Sequence, residues 1–309
     1  MPASLRFLII VIVAGWGHTA HAQECARNCL EDLVGTYLDA VQARNPGLMT
    51  LTADARFTEN TIAIEPGDGI WQTIDAGSIA EAQLFLTDVS TNQAAWFGAA
   101  TENGHGVLLT VRLRHENERV SEVETLITRR SPAMFGNFDD FPEPDASWTR
   151  AVDSDKRSSR TTIVAAAHAY FDGIEQSNGD IVPLSNSTIR IENGVQTAPR
   201  TDGDRAGMSI RETFNSGMFS YITAIDPRRI VLVDEERGVV LSQVMFQHPG
   251  NVFPEAFADR LDDPSSVLVY PNSIGIMEAF QVIDGQITQI FAHMVMLPYK
   301  SESGWPADR

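Results

Sequence analysis

The chain's last apolar hairpin, SIGIMEAFQVIDGQITQIFAHMVML, holds in its two strands one carboxylate, Glu278, and one imidazole, His293, among isoleucine, phenylalanine and methionine. A carboxylic acid and an imidazole in apolar surroundings are the parts of a general acid–base couple, because burial raises the acid's pKa toward that of the base. Asp284-Gly285 reads as a two-residue hairpin turn. Counting outward from it pairs residue 282 with 287, 278 with 291 and 276 with 293, so that Ile276, Glu278, Phe280, Phe291 and His293 share one face. In that register Glu278 and His293 are diagonal neighbours about 7–8 Å apart. If the shared face is the inside of the fold, Glu278 and His293 form a site and Phe280 and Phe291 line it. If it is the outside, they form a solvated pair.

A second group of candidates precedes the hairpin. The run STIRIENGVQT places Glu192 and Asn193 straight after an alternating strand pattern, and Tyr170 stands upstream on a helical stripe. Glu192 and Asn193 have two readings, a catalytic carboxylate with a ligand-binding amide or a turn capped through side-chain hydrogen bonds. Tyr170 is either a core residue or part of a hydrogen-bond network. In PRRIVLVDEERGVV, Arg229 is a candidate anchor for a ligand oxygen, the alternative being a salt-bridged turn; His248 in FQHPG ends a strand and borders either the same pocket or a loop.

These residues are positioned by elements that occur twice. Tyr37 and Tyr170 are 133 residues apart, as are Glu59 and Glu192, and Asn60 and Asn193. Leu30, Leu33, Val34, Tyr37, Leu38 and Val41 form one apolar helical stripe, and Ile163, Val164, Ala167, Tyr170, Phe171 and Ile174 form the second. Each helix ends in a breaker, RNPG or SNGD, and each copy finishes in strand-rich runs separated by turn signals. Copy two is longer: Val120 matches Ile287 at an offset of 167, and the extra residues fall in Pro249 to Ser273, an expected excursion over the sheet. The stretch Ser131 to Ser159, rich in Pro, Asp and Ser, reads as a linker, and its Phe135, Phe138, Phe141 and Trp148 predict that it packs on something. The expected organisation is a signal peptide at 1–22, a first domain at 23–130, a linker at 131–160 and a second domain at 161–309.

Copy one departs from copy two at the positions that matter. Val111 stands where copy two has Glu278, and Glu124 where it has Phe291, so that the same hairpin count sets Val111 opposite Glu124. With Glu59, Asn60 and Tyr37 this makes a possible second site with rearranged acids; otherwise copy one is a structural partner.

The first residues, MPASLRFLIIVIVAGWGHTAHAQ, carry one positive charge, a short apolar run and a small-x-small ending, the pattern of a secretory signal peptide cleaved after Ala22. The expected location is secreted or periplasmic. Cys25 and Cys29 then sit at the mature N-terminus, where an oxidising compartment favours a local disulfide. With 43% hydrophobic and 21% charged residues the composition suits packed domains, and a formal charge of −18 argues against nucleic acid or an anionic membrane as partner. A G-x-S-x-G elbow, a phosphate loop and H-E-x-x-H are all missing, and the seven histidines are scattered; the expectation is therefore no metal and no cofactor.

Helix with tyrosine, Asn-x-Gly, a strand ending in an acid, then a long hairpin, twice over, resembles the nuclear-transport-factor-two-like superfamily, which includes ketosteroid isomerases, scytalone dehydratases and SnoaL-like cyclases. The segments FTEN…GIWQT and RIENGVQT…PRRIVLVDEERGVV…FQHPG…SGW look more narrowly like a secreted two-copy SnoaL-like group. The resemblance implies an α+β fold of two tandem cones, each a curved antiparallel sheet wrapped around an N-terminal helix, with a pocket inside. It also implies site roles. The position matching Glu278 is a protonated acid that donates to an oxyanion, the position near Glu192 (or at Asn193) is the proton-abstracting base, and Tyr170 belongs to the hydrogen-bond network. The implied activity is a cofactor-independent lyase or isomerase step on a small hydrophobic, aromatic or polyketide-like molecule, with lignin-type aryl ether cleavage as its most specific form. The alternative is a non-catalytic periplasmic ligand-binding protein. Dimerisation through sheet faces is the assembly such cones favour.

Overall fold

The structure, a computed structural model, describes residues 25–132, 134–201, 203, 206–254, 261–262 and 268–306. The expected signal segment at 1–22 lies outside the described residues. Among the described residues no helix is long and apolar enough to cross a membrane.

The first half opens with α1 (Arg27–Gln42), whose predicted stripe is the buried one, Leu30, Val34, Tyr37, Leu38 and Val41. Strands β1 (Leu51–Glu59), β2 (Ile62–Ile64), β3 (Leu84–Asp88), β4 (Gln93–Glu102), β5 (His105–Glu116) and β6 (Arg119–Arg129) follow, with a short helix α2 (Ile70–Thr73) between β2 and β3. The second half repeats the plan with α3 (Arg160–Glu175), β7 (Leu184–Glu192), β8 (Val195–Ala198), a short helix α4 (Ile210–Asn215), β9 (Ala224–Asp234), β10 (Val239–His248), β11 (Asn272–Ile283) and β12 (Gln286–Pro298). The two sheets have the same order, β2-β1-β6-β5-β4-β3 and β8-β7-β12-β11-β10-β9. They are mixed rather than wholly antiparallel, because β1 runs parallel to β6 and β7 parallel to β12. One face of each sheet closes over its own helix, giving one apolar core around α1 and another around α3.

The other faces of the two sheets pack on each other. Phe97, Leu108 and Leu126 of the first sheet meet Leu232, Leu241, Met277 and Phe291 of the second, and Phe138, Phe141 and Trp148 of the connecting segment join the same cluster. The linker therefore packs as its aromatic content predicts, although Phe135 stays half exposed. The sheet faces expected to mediate a dimer are already covering one another within one chain. Two arginines 133 residues apart fasten the halves reciprocally. Arg27 of α1 donates to Asp234 and Glu236 of the second half, and Arg160 of α3 donates to Asp88 of the first at 2.6 Å. Cys25 and Cys29 form a disulfide on either side of Arg27.

The register of both long hairpins differs from the simple count. In β11 and β12, Val282 pairs with Ile287, but Gln281 pairs with Gln289, leaving Thr288 as an extra residue. From there Glu278 faces Ala292 and Met277 faces His293. In β5 and β6 the extra residue is Ser121, so Val111 faces Thr125 and Arg112 faces Glu124. The two bulges are equivalent, and each extra hydroxyl donates to the facing carbonyl: Ser121 to Arg114 O at 3.5 Å, Thr288 to Gln281 O at 3.3 Å. One inserted residue moves every side chain beyond it to the opposite face.

Candidate active site

The bulge separates the pair on which the sequence reading rested. Glu278 points into the core around α3, together with Ile276, Phe280 and Val282. Its expected partners Phe291 and His293 point the other way, into the seam between the sheets. There His293 is fully buried beside Phe97 and Phe141, and its Nδ1 lies 2.9 Å from Thr110 Oγ1 of the first half. Burial depresses the His293 imidazole to about 3, so it is a neutral core residue at physiological pH. The Glu278–His293 couple is thus corrected to two separate environments.

What surrounds Glu278 is a different set. Tyr170, from the buried stripe of α3, lies edge-on to Phe171, Phe214 and Phe280 with ring centroids 4.9–5.8 Å apart. Its hydroxyl accepts a hydrogen bond from Arg190 Nη1 at 3.1 Å. Arg190, two residues before Glu192 and therefore on the same face of β7, reaches Glu192 Oε2 at 3.2 Å and donates to Thr197 Oγ1 at 2.9 Å. Burial, and then the charge of Glu192, push the Glu278 carboxyl up to about 8, against the opposing pull of Arg190 and the Tyr170 hydroxyl. The Tyr170 phenol is held well above its ordinary range, chiefly by burial. Burial works against the Arg190 charge, but Glu192 and Tyr170 more than offset it and raise its pKa. Glu278 Oε2 has no hydrogen-bond partner, nor has the hydroxyl of Ser242, which sits directly opposite Glu278 on β10.

Four predicted residues thus converge, namely Glu278, Glu192, Tyr170 and Phe280. Two that join them, Arg190 and Ser242, were not anticipated. Arg190 was legible in principle, because alternation along RIE places residues 190 and 192 on one face. Ser242 was not, because its neighbour on β11 depends on strand pairing.

The remaining candidates have other work. Asn193, with positive φ, accepts from Met294 N at 2.8 Å and donates to Phe135 O at 3.0 Å, replacing strand backbone rather than lining a pocket. Asn60 does the same for Ile127 in copy one. Arg229 turns to the seam between the sheets and pairs with Glu124 at 2.8 Å, so both side chains lie in the seam and not inside a cone. Glu124 also receives Arg112 at 3.0 Å, and the cluster lies beneath the Trp305 ring. His248 sits at the end of β10 with both ring nitrogens against backbone carbonyls, Tyr221 O at 2.9 Å and Leu268 O at 3.0 Å; it anchors the excursion after β10.

Copy one's interior is not a second version of the site. Val111 takes the place of Glu278, and Trp96, opposite it on β4, takes the place of Ser242. The Trp96 indole donates to Gln83 Oε1 at 2.7 Å. Tyr37 packs edge-on against Trp71, and Glu59 accepts from Ile70 N at 2.7 Å, which holds the start of α2.

The profile of a family described as a domain of unknown function (DUF8021) matches residues 156–294, the part that carries Glu278, Glu192 and Tyr170. No curated protein matches the chain. Among solved structures the chain is similar to the epoxide hydrolase/cyclase-like enzyme SalBIII, at 13% identity over 46% of this chain and 98% of that one, with a TM-score of 0.32. It is also similar to PrhC from Penicillium brasilianum, at 14% identity over 45% of this chain and 83% of that one, with a TM-score of 0.28. A further similarity is to an NTF2-like protein from Anabaena variabilis, at 13% identity over 48% of this chain and 96% of that one, with a TM-score of 0.27. A helix, a short strand pair and a four-strand meander joined by one parallel pairing occur twice with the same sheet order. The chain is two α+β units in tandem, each a six-stranded mixed sheet closed over its own N-terminal helix.

Proposed function

We propose that the second cone is the catalytic one and that it carries out a cofactor-independent lyase or isomerase step on a small aromatic or polyketide-like molecule, in an exported protein. The observation that carries this reading is the contrast between the environments of two glutamates linked through Arg190 and Tyr170. Glu278 is buried in an aromatic core and keeps its proton to about pH 8. Glu192 is less buried and ion-paired with Arg190. Two carboxyl groups held in such different environments, one buried among aromatic rings and one paired with an arginine, are the material for an acid and a base in one site.

In the proposed step the Glu192 carboxylate takes a proton from carbon next to a polarised centre. Electrons from that C–H bond form a new double bond, and the bond to an oxygen leaving group breaks. The leaving oxygen takes the Glu278 proton, while Arg190 and Tyr170 steady the developing negative charge. For an aryl ether this yields an unsaturated product and a free phenol. The Cys25–Cys29 disulfide supports export, since such bonds persist in oxidising compartments.

The test is turnover of lignin-type aryl ethers and small enolisable aromatics by the purified protein, with chelator present. Glu192→Gln and Glu278→Gln should each lower kcat/KM by about 10²–10⁴-fold, the range typical of general acid–base groups. Unchanged turnover in both variants would overturn the assignment.

A further inference from the structure

Among the described residues of the second core, Ser242 and Glu278 are the two side chains with a buried polar atom that has no hydrogen-bond partner, and they are neighbours. They pair across β10 and β11, which puts their Cβ atoms about 5 Å apart on the face turned toward α3. Ser242 is completely buried and Glu278 is 2% exposed, yet the Ser242 hydroxyl and Glu278 Oε2 have no partner. A buried polar atom left unmade costs roughly 1–3 kcal/mol, so two of them side by side in one core need an explanation.

Copy one shows that the fold does not need them. At the equivalent pair it places Trp96 opposite Val111, both completely buried in apolar surroundings. The Trp96 ring lies over Gly98, where an added Cβ would come within 2.2 Å of it. Copy two replaces that set, Trp96, Gly98 and Val111, with Ser242, Val244 and Glu278. At these positions an indole gives way to a hydroxymethyl group while Gly98 becomes Val244 and Val111 becomes Glu278, and nearby Leu38 and Leu113 become Phe171 and Phe280, so that two hydrogen-bonding groups are introduced among aromatic rings. The walls around them are the rings of Tyr170, Phe171 and Phe280.

We propose that Ser242 and Glu278 together bind a single oxygen atom of an aromatic ligand, a carbonyl or ether oxygen carried on the ring or one bond from it, and that Ser242 is the residue that selects for that oxygen. A protonated carboxyl donates one hydrogen bond and the serine hydroxyl donates a second, and a carbonyl or ether oxygen has lone pairs for both. The aromatic walls accept the ring edge-on. The inference deepens the function proposed above by naming what the site recognises, but it concerns binding and stands or falls without turnover.

The experiment compares acetophenone with ethylbenzene, which keeps the ring and chain but lacks the oxygen. Binding of each to the intact protein is measured by ligand-observed NMR titration at pH 6. The expected result is at least tenfold tighter binding of acetophenone, since two hydrogen bonds of ordinary strength are worth that ratio or more. Ser242→Ala should reduce the preference several-fold while leaving ethylbenzene affinity unchanged. Glu278→Leu should abolish it. Equal affinity for the two probes in the wild type, or an undiminished preference in Ser242→Ala, would overturn the proposal, as would failure of both probes to bind. Oxygen-selective binding lost in Ser242→Ala, with no turnover of any ether or enolisable aromatic, would uphold this inference and overturn the acid–base function. Turnover that depends on Glu192 and Glu278, together with equal affinity of the wild type for the two probes, would do the reverse.

Discussion

Glu278 and His293 belong to one hairpin and face opposite ways. Glu278 enters the aromatic core of the second cone, and His293 enters the seam between the two sheets, where it meets Thr110 of the other half. Activity should therefore depend on Glu278 and be indifferent to the ionisation of His293. In a pH–rate profile with a turned-over aryl ether, kcat/KM should fall as pH rises through about 8, where Glu278 loses the proton it donates. Glu278→Gln should remove that limb along with most of the rate, whereas His293→Gln should keep the wild-type profile at neutral pH.

The same carboxyl should leave a mark on stability. Its folded pKa of about 8 lies above the ordinary 4.5, so the folded state holds the proton more tightly than the unfolded state does. Below pH 4.5 both states are protonated and nothing is lost. Between 4.5 and 8 the unfolded state alone gives up the proton, and stability declines with rising pH. The full effect is on the order of 3–5 kcal/mol, at 1.36 kcal/mol per pKa unit. Urea denaturation of Glu278→Gln should show a much flatter dependence across that window, with the variant more stable than wild type at pH 8.

His293 has the opposite sign. Its folded pKa of about 3 lies below the ordinary 6.5. As pH falls through 6.5 the unfolded state takes up a proton that the buried ring refuses, so stability drops progressively down to pH 3. His293→Leu, which keeps an apolar group against Phe97 and Phe141, should have a shallower acid-unfolding curve between pH 6.5 and 4 than wild type. The comparison can be made by circular dichroism at fixed temperature.

The reciprocal clamp of Arg27 on Asp234 and Arg160 on Asp88 should couple the stabilities of the two halves. Asp88 is 1% exposed and also accepts from Val233 N at 3.0 Å, so Arg160→Ala leaves a carboxylate buried beside the second half without its cation. The expected loss is about 3 kcal/mol. Calorimetry should then show the single unfolding transition broadening or splitting, with a smaller effect for Arg160→Lys.

The sequence by itself determined the elements and their duplication. Both helices follow from apolar residues at spacings of three and four, and the constant offset of 133 carries through helix, turn and first strand. These features are set by neighbours in the chain, where periodicity and turn residues act directly. It also singled out Glu278, Glu192, Tyr170 and Phe280 as candidates, while leaving open whether the hairpin face that carries Glu278 and Phe280 turns inward. What it left open is which long-range neighbour each would meet. The bulge residues Ser121 and Thr288 look like ordinary strand residues, yet each shifts a register by one and reverses the faces beyond it. Arg229 and Glu124 lie 105 residues apart in the chain and pair only because the two sheets stack outer face to outer face. Ser242 meets Glu278 only because β10 lies beside β11. Strand pairing and sheet stacking are chosen by the packing of the whole core, so tertiary structure decided which acid was buried, which histidine was taken out of the site, and which of two similar cones was left with unsatisfied polar groups inside.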